Sequence, residues 1–443
     1  MPFNRAAFNL DACVEWTELG EARSARWRSE CAAPPPKHVI IAHDTMTADA
    51  AFHLASEGTA MLWRGDFQNA RQLLQALARR TDKPKVGKKV KPASDVASWV
   101  HAFNLHRRAQ SQRARTLAMV LLEFDGEHNI ALRRAPDVRE ACSEVYGPGD
   151  AAQGSYVASL RELLGIIGAH QWRRKGVEIT ALGGGRIHPH YGVFSPVRGE
   201  YVRLVAETPL PPALATDSVA FDIGTGTGVL AAVLARRGLR QLIATDLYPR
   251  AIACARENLE RLAQLGVMPA GQVTIEQVDL FPEGRAPLVV CNPPWIPARP
   301  SSPIEHAIYD PQSRMLRGFL DGLAEHLARD GEGWLILSDL AEHLCLRPRA
   351  QLLGWIDAAG LQVLGRLDAK PQHAKVFDVD DPLHGARGAE TTSLWRLGAK
   401  GRSPMGKTGC ASSSSRDDRE RQQPGGDQRI SRDGCVQRDQ GGG

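Results

Sequence analysis

The residues able to do chemistry gather in two short stretches. The first begins at Leu288-Val289-Val290-Cys291, apolar residues of buried-strand character, and runs into Asn292-Pro293-Pro294-Trp295-Ile296-Pro297. Two consecutive prolines cannot continue a sheet ladder or sit inside a helix, so the backbone must leave the sheet here. An amide, two carbonyls directed by proline and a large aromatic ring are then presented at the carboxyl end of a strand, where open α/β sheets bind their ligands. An Asn oxygen and a proline carbonyl can accept the two hydrogens of an NH2 group while the indole stacks on its plane. The same residue types also make ordinary proline-rich turns.

The second stretch is Asp222-Ile223-Gly224-Thr225-Gly226-Thr227-Gly228. Its glycines let the backbone turn tightly and approach a ligand, and a following helix offers free N–H groups. The spacing is G-x-G-x-G, which departs from the G-x-G-x-x-G of dinucleotide-binding proteins and speaks against a nicotinamide oxidoreductase. Asp246 lies twenty residues beyond Gly226, where a carboxylate can accept hydrogen bonds from ribose hydroxyls. Asp222 can hold an ammonium group, and Asp279-Leu280-Phe281 suits an adenine amine and face. Together these positions fit a nucleotide-like cofactor.

The elements that must position these residues alternate regularly. Strands are expected at 219–223, 241–245, 273–277, 288–291 and 333–338, with helices at 201–206, 228–237, 249–263, 313–329 and 348–359. A closing pair of strands, 361–367 and 392–397, follows. The pattern is α/β, a doubly wound, mostly parallel seven-stranded sheet of Rossmann-like type with its last strand antiparallel.

At this point the run from Asp222 to Pro297 resembles the class I S-adenosylmethionine-dependent methyltransferases. Asp279-Leu280-Phe281 followed by Asn292-Pro293-Pro294-Trp295-Ile296-Pro297 is similar to the branch that methylates glutamine in release factors and ribosomal proteins, whose signature is Asn-Pro-Pro-Tyr-Ile. Tyr309-Asp310-Pro311 and Gly318 to Leu323 also resemble that branch, and the resemblance spans about residues 183–397. It implies S-adenosyl-L-methionine as cofactor, with Asp222, Gly224, Thr225, Gly226 and Gly228 along its methionine and ribose. Asp246 would bind the ribose, and Asp279 with Leu280 would flank adenine. Asn292, Pro293, Pro294 and Trp295 would form the catalytic loop, without a metal. Trp295 replaces the tyrosine of that branch, keeping a stacking face but losing the phenol. The change also suits a flipped purine, as in RNA or DNA amino-methyltransferases. The implied acceptor is therefore glutamine of a translation protein, or alternatively an amino base of rRNA, tRNA or DNA. A non-catalytic RNA-binding protein with a degenerate methyltransferase fold is a further alternative, opposed by the intact acidic and Asn-Pro-Pro positions.

Residues 1–182 are expected to form a mostly helical substrate-recognition region. Apolar spacing marks helices at 47–56 and 66–80, the latter capped by Asp66. Residues 1–36, ending in Pro34-Pro35-Pro36, read as a boundary rather than an element. Strand-like Leu117–Phe124 and Ile130–Arg133 suggest a hairpin, and helices are expected at 137–146 and 155–171. From Arg71 to Arg115 there are twelve Lys and Arg against two Asp. This local charge of +10 could contact nucleic-acid phosphates, or be no more than a solvated lysine loop. His188-Pro189-His190 has no nearby third ligand and is not read as a metal site.

With 43% hydrophobic and 24% charged residues the composition is that of an ordinary globular chain. It has no apolar run of membrane-spanning length and no signal-peptide pattern, so the cytoplasm and no membrane partner are expected. Eight cysteines without a C-x-x-C pair argue against a zinc cluster or disulfide framework. The net charge of +5 is too mild to indicate nucleic acid by itself. Residues 398–443, rich in Gly, Ser, Arg, Asp and Gln, are expected to be a disordered tail.

Overall fold

The computed structural model describes residues 12–82, 96–197, 199–215, 219–300, 305, 308–371 and 383–401. The expectation for the C-terminal tail, and Lys83 to Lys91 of the basic stretch, fall outside them. Among the described residues no helix is long and apolar enough to cross a membrane.

The N-terminal region carries its own six-stranded sheet, which corrects the mostly helical expectation. Its elements are β1 (Cys13–Glu18), β2 (Glu21–Trp27), β3 (His38–Ala42), α1 (Ala48–Glu57), β4 (Thr59–Trp63), α2 (Phe67–Thr81), α3 (Val96–Leu117), β5 (Val120–Phe124), α4 (Arg139–Tyr146), β6 (Tyr156–Ser159) and α5 (Leu160–Lys175). The strand order is β1-β2-β6-β5-β4-β3. β1 and β2 form a hairpin at the segment read as a mere boundary, with Leu19 and Gly20 both at positive φ in the turn, the backbone a tight hairpin requires. Val14 and Trp16 alternate inward and pack with Ala60, Leu62, Leu121 and Val157 on the face opposite the main helical core. The hairpin expected at 117–133 does not form, because β5 instead pairs with β4 and β6. The helix expected at 155–171 divides: Tyr156 to Ala158 are a fully buried strand, and Ser159 then caps α5 through the Glu162 N–H at 3.0 Å. Asp66 caps α2 as expected, accepting from the Gln68 N–H at 2.9 Å.

After the short strands β7 (Val177–Glu178) and β8 (Arg186–Ile187) and helix α6 (Gly199–Glu207) comes the large sheet. It is built from β9 (Val219–Ile223), α7 (Val229–Arg236), β10 (Gln241–Asp246), α8 (Pro249–Gln264), β11 (Val273–Gln277), β12 (Ala286–Cys291), α9 (Arg314–His326), β13 (Leu327–Ser338), α10 (Leu340–His343), α11 (Arg349–Ala358), β14 (Leu361–Ala369), α12 (His384–Ala389) and β15 (Thr392–Ala399). The seven strands run β11-β10-β9-β12-β13-β15-β14. β15 is antiparallel to both its neighbours. Side chains alternate between faces as a strand demands. Leu288 and Val290 join a core with α7 and α8, while Val289 and Cys291 join a core with α9 and α11. α9 ends at His326, three residues short of the expected boundary, and β13 begins at once.

Candidate active site

The carboxyl ends of β11, β10, β9 and β12 lie side by side, and each leads directly into one of the singled-out motifs. Parallel pairing sets Asp222 opposite Ala244 on one side and Val290 on the other. The glycine turn after β9 and the Asn-Pro-Pro-Trp loop after β12 therefore leave the sheet on neighbouring strands. The strand order reverses between these two, at the switch point where doubly wound sheets open a crevice.

Asp222 is 1% exposed. Its Oδ2 accepts from the Thr225 hydroxyl at 2.6 Å and from the Ala231 N–H at 3.1 Å. That oxygen thus braces the glycine turn against the first turn of α7. Its Oδ1 is buried with no hydrogen-bond partner, and burial pushes the carboxyl up to about 6. An orphaned carboxylate oxygen beside a helix N-terminus suits a cationic ligand group.

Gly224, Gly226 and Gly228 all have positive φ, at 71°, 56° and 81°. Gly228 also sits against α8, where an added methyl would lie 3.2 Å from Leu259 Cγ and 3.3 Å from Ala255 Cα. Thr225 is tied to β10 by its N–H, which donates to the Thr245 carbonyl at 2.8 Å. Asp246 holds the turn from the other side: its Oδ2 accepts from the Gly226 N–H and its Oδ1 from the Tyr248 N–H, both at 3.0 Å. Asp279 is exposed and ion-paired with Arg314. Leu280, at φ 71°, turns its carbonyl to the Thr245 hydroxyl at 2.6 Å. Phe281 stacks on His326, ring centres 4.2 Å apart, so its face is already covered from α9.

In the second motif, the indole N–H of Trp295 donates to Asn292 Oδ1 at 2.9 Å. An indole nitrogen can only donate, so the bond sets which way the amide faces. Trp295 is half-buried among residues of all three neighbouring cores. Its carbonyl accepts from Arg347 at 3.3 Å, and Arg347 also reaches Ser313 Oγ at 3.4 Å. Arg347 is 2% exposed, and no spacing rule pointed to it. Pro293, within the loop, is buried.

His188 and His190 are occupied elsewhere: Nδ1 of His188 meets the Arg173 carbonyl at 2.6 Å, and Nε2 of His190 meets Glu257 at 2.8 Å. Of the basic stretch, Arg80 pairs with Asp49, Arg107 with Glu305 and Arg113 with Asp82. Three of its cations are thus neutralised within the fold.

The orphaned Asp222 oxygen, the open backbone at Gly226 and the Asp246 carboxylate fit the ammonium and ribose of S-adenosyl-L-methionine. Residues 185–342 match the family model described as methyltransferase small domain. A release factor glutamine methyltransferase of Cereibacter sphaeroides is 37% identical over 155 residues, covering 33% of this chain and 50% of that protein. A ribosomal protein L11 methyltransferase of Pelotomaculum thermopropionicum is 46% identical over 74 residues, 16% and 22% of the two chains. A tRNA1(Val) (adenine(37)-N6)-methyltransferase of Pedobacter heparinus is 33% identical over 120 residues, 26% and 50% of the two chains. The chain spans half the length or less of these curated relatives.

Proposed function

We infer, from the premise that residues 185–342 are a class I S-adenosylmethionine-dependent methyltransferase domain, that this chain methylates the nitrogen of a planar NH2 group in a macromolecule. The observation that carries the reading is the Asn292-Pro293-Pro294-Trp295 loop, which leaves β12 next to the cofactor-type glycine turn after β9. The cofactor would lie along Asp222, Gly224, Thr225, Gly226, Gly228 and Asp246, with Asp279 and Leu280 toward its adenine.

Bound there, the cofactor supplies an electrophilic methyl on a sulfonium. An amide or exocyclic amine is a poor nucleophile because its lone pair is delocalised. Asn292 Oδ1 and the Pro293 carbonyl would accept its two N–H groups, raising electron density on nitrogen and aiming it at the methyl. Trp295 has a double part, bracing Asn292 through its N–H and offering ring surface to the acceptor plane. The proton leaves to water after transfer.

A glutamine side chain of a translation protein is the first acceptor reading, supported by the similarity to release factor glutamine methyltransferases. Residues 1–182 would then recognise the protein, and residues 183–397 would carry the catalytic site. An amino base of RNA is the second reading, supported by the exposed Arg108 and Arg115 on α3, the helix that packs against the acceptor loop. The experiment is transfer of labelled methyl from S-adenosylmethionine into separated protein and RNA fractions of a cell extract, with Asn292→Ala as control. Label in one protein band that vanishes in the variant supports the first reading, and label in RNA supports the second. Cofactor binding with no label in either fraction refutes the catalytic reading.

A further inference from the structure

Resting on that reading, we propose that Arg107, on helix α3 of the N-terminal region, is a positioning residue for the cofactor cleft. Its guanidinium grips the segment after the catalytic loop at three places. One nitrogen donates to the Arg299 carbonyl at 2.8 Å, two nitrogens reach the Glu305 carboxylate at 3.3 Å each, and the group lies 4.2 Å over the Tyr309 ring. The ion pair is largely shielded, with side chains 19% and 24% exposed, so solvent weakens it less than a surface pair. Phe103 and Trp99, on the same helix, pack in one cluster with Ile296 and Tyr309.

From Tyr309 the hold passes directly to the cofactor side. Tyr309 bridges Ile296, and the Asp310 N–H donates to the Ile296 carbonyl at 2.8 Å. The buried Asp310 carboxylate accepts from the N–H groups of Met315 and Leu316 at 3.1 Å each, capping α9. Between them Gln312 and Ser313 sit at φ 58° and 54°, a conformation that non-glycine residues keep only when their surroundings impose it. The first turn of α9 then reaches both cofactor motifs: Arg314 pairs with Asp279, and a methyl added to Gly224 would collide with Met315 Cε. The segment 308–315 is therefore pinned at one end by α3, and its other end forms a wall of the cleft.

The test is calorimetric titration of the full chain with S-adenosylmethionine, comparing wild type with Arg107→Ala, Arg107→Lys and Gln110→Ala. Gln110 is an exposed position on the same helix. Arg107→Ala is expected to raise Kd roughly tenfold, about the loss of one well-formed charged contact. Arg107→Lys should recover most of the affinity, since an ammonium still meets Glu305 and the Tyr309 ring, and Gln110→Ala should bind as wild type. If Arg107→Ala does not fold, Glu305→Gln removes the same ion pair from the other side and should also weaken binding. Wild-type affinity in Arg107→Ala, or equal weakening in Gln110→Ala, overturns the proposal alone. A wild-type chain that binds no S-adenosylmethionine overturns the cofactor reading and the proposal with it.

Discussion

The Trp295 indole N–H donates to Asn292 Oδ1 across 2.9 Å, so the ring expected to stack on the acceptor also orients the amide that would hold it. Trp295→Phe keeps an aromatic face and removes that donor. Methyl transfer should fall roughly 10- to 100-fold, the cost of losing one orienting hydrogen bond at a reacting centre. Affinity for S-adenosylmethionine should stay unchanged. A labelled-methyl assay beside a cofactor titration separates the two effects, and equal loss in both would refute the bracing role.

Asp222 links stability to pH with an uncommon sign. Burial raises its pKa from 3.8 to about 6, so between these values the folded chain holds a proton that the unfolded chain has released. Its contribution to stability is therefore present below pH 4 and is lost as pH rises through 6. Asp222→Asn removes that loss, and its Tm at pH 8 should equal or exceed that of wild type. It should nevertheless bind S-adenosylmethionine more weakly, because an amide cannot neutralise the ammonium. Thermal melts at pH 5 and pH 8, with calorimetry at pH 8, check both outcomes.

Gly228 combines a φ of 81° with close contact to α8. Gly228→Ala should cost about 1–3 kcal/mol through backbone strain and crowding against Leu259 and Ala255. Urea unfolding reads this directly, and a change below about 0.5 kcal/mol would mean that α8 yields without cost.

Asp246 ties β10 to the glycine turn through Gly226. Asp246→Ala frees that N–H and removes the carboxylate expected to bind ribose. Kd for S-adenosylmethionine should rise at least roughly tenfold, as for a charge-assisted bond. S-adenosylhomocysteine, which keeps the ribose, should show the same loss. Methionine, which lacks the ribose, should compete as weakly against the variant as against wild type.

The seven-stranded sheet and the placement of both motifs at its strand ends were legible because their information is local. Each strand of the parallel sheet is followed by its own helix or loop, so Asp222, Asp246, Asp279 and Asn292 announce themselves as residues at strand ends. The N-terminal sheet was not legible in the same way. Tyr156 to Ala158 is a short apolar run that merges into the amphipathic pattern of α5, and only pairing with β2 and β5 makes it a strand. The alternation in Cys13 to Glu18 and the glycine at the turn were signals that could have revealed β1 and β2.

By itself, then, the sequence determined the glycine turn, the acidic strand ends, the amide and prolines of the loop after β12, and the order of strands and helices around them. Each of these depends on residues within a few positions of one another. Only the tertiary structure decided which way Asn292 faces, that Asp222 keeps one oxygen without a partner, and that the buried Arg347 holds the loop by the Trp295 carbonyl. It alone brought Arg107 to Glu305 across 198 residues of chain. Such contacts follow from how separate elements pack against each other, and no local pattern of residue types records them.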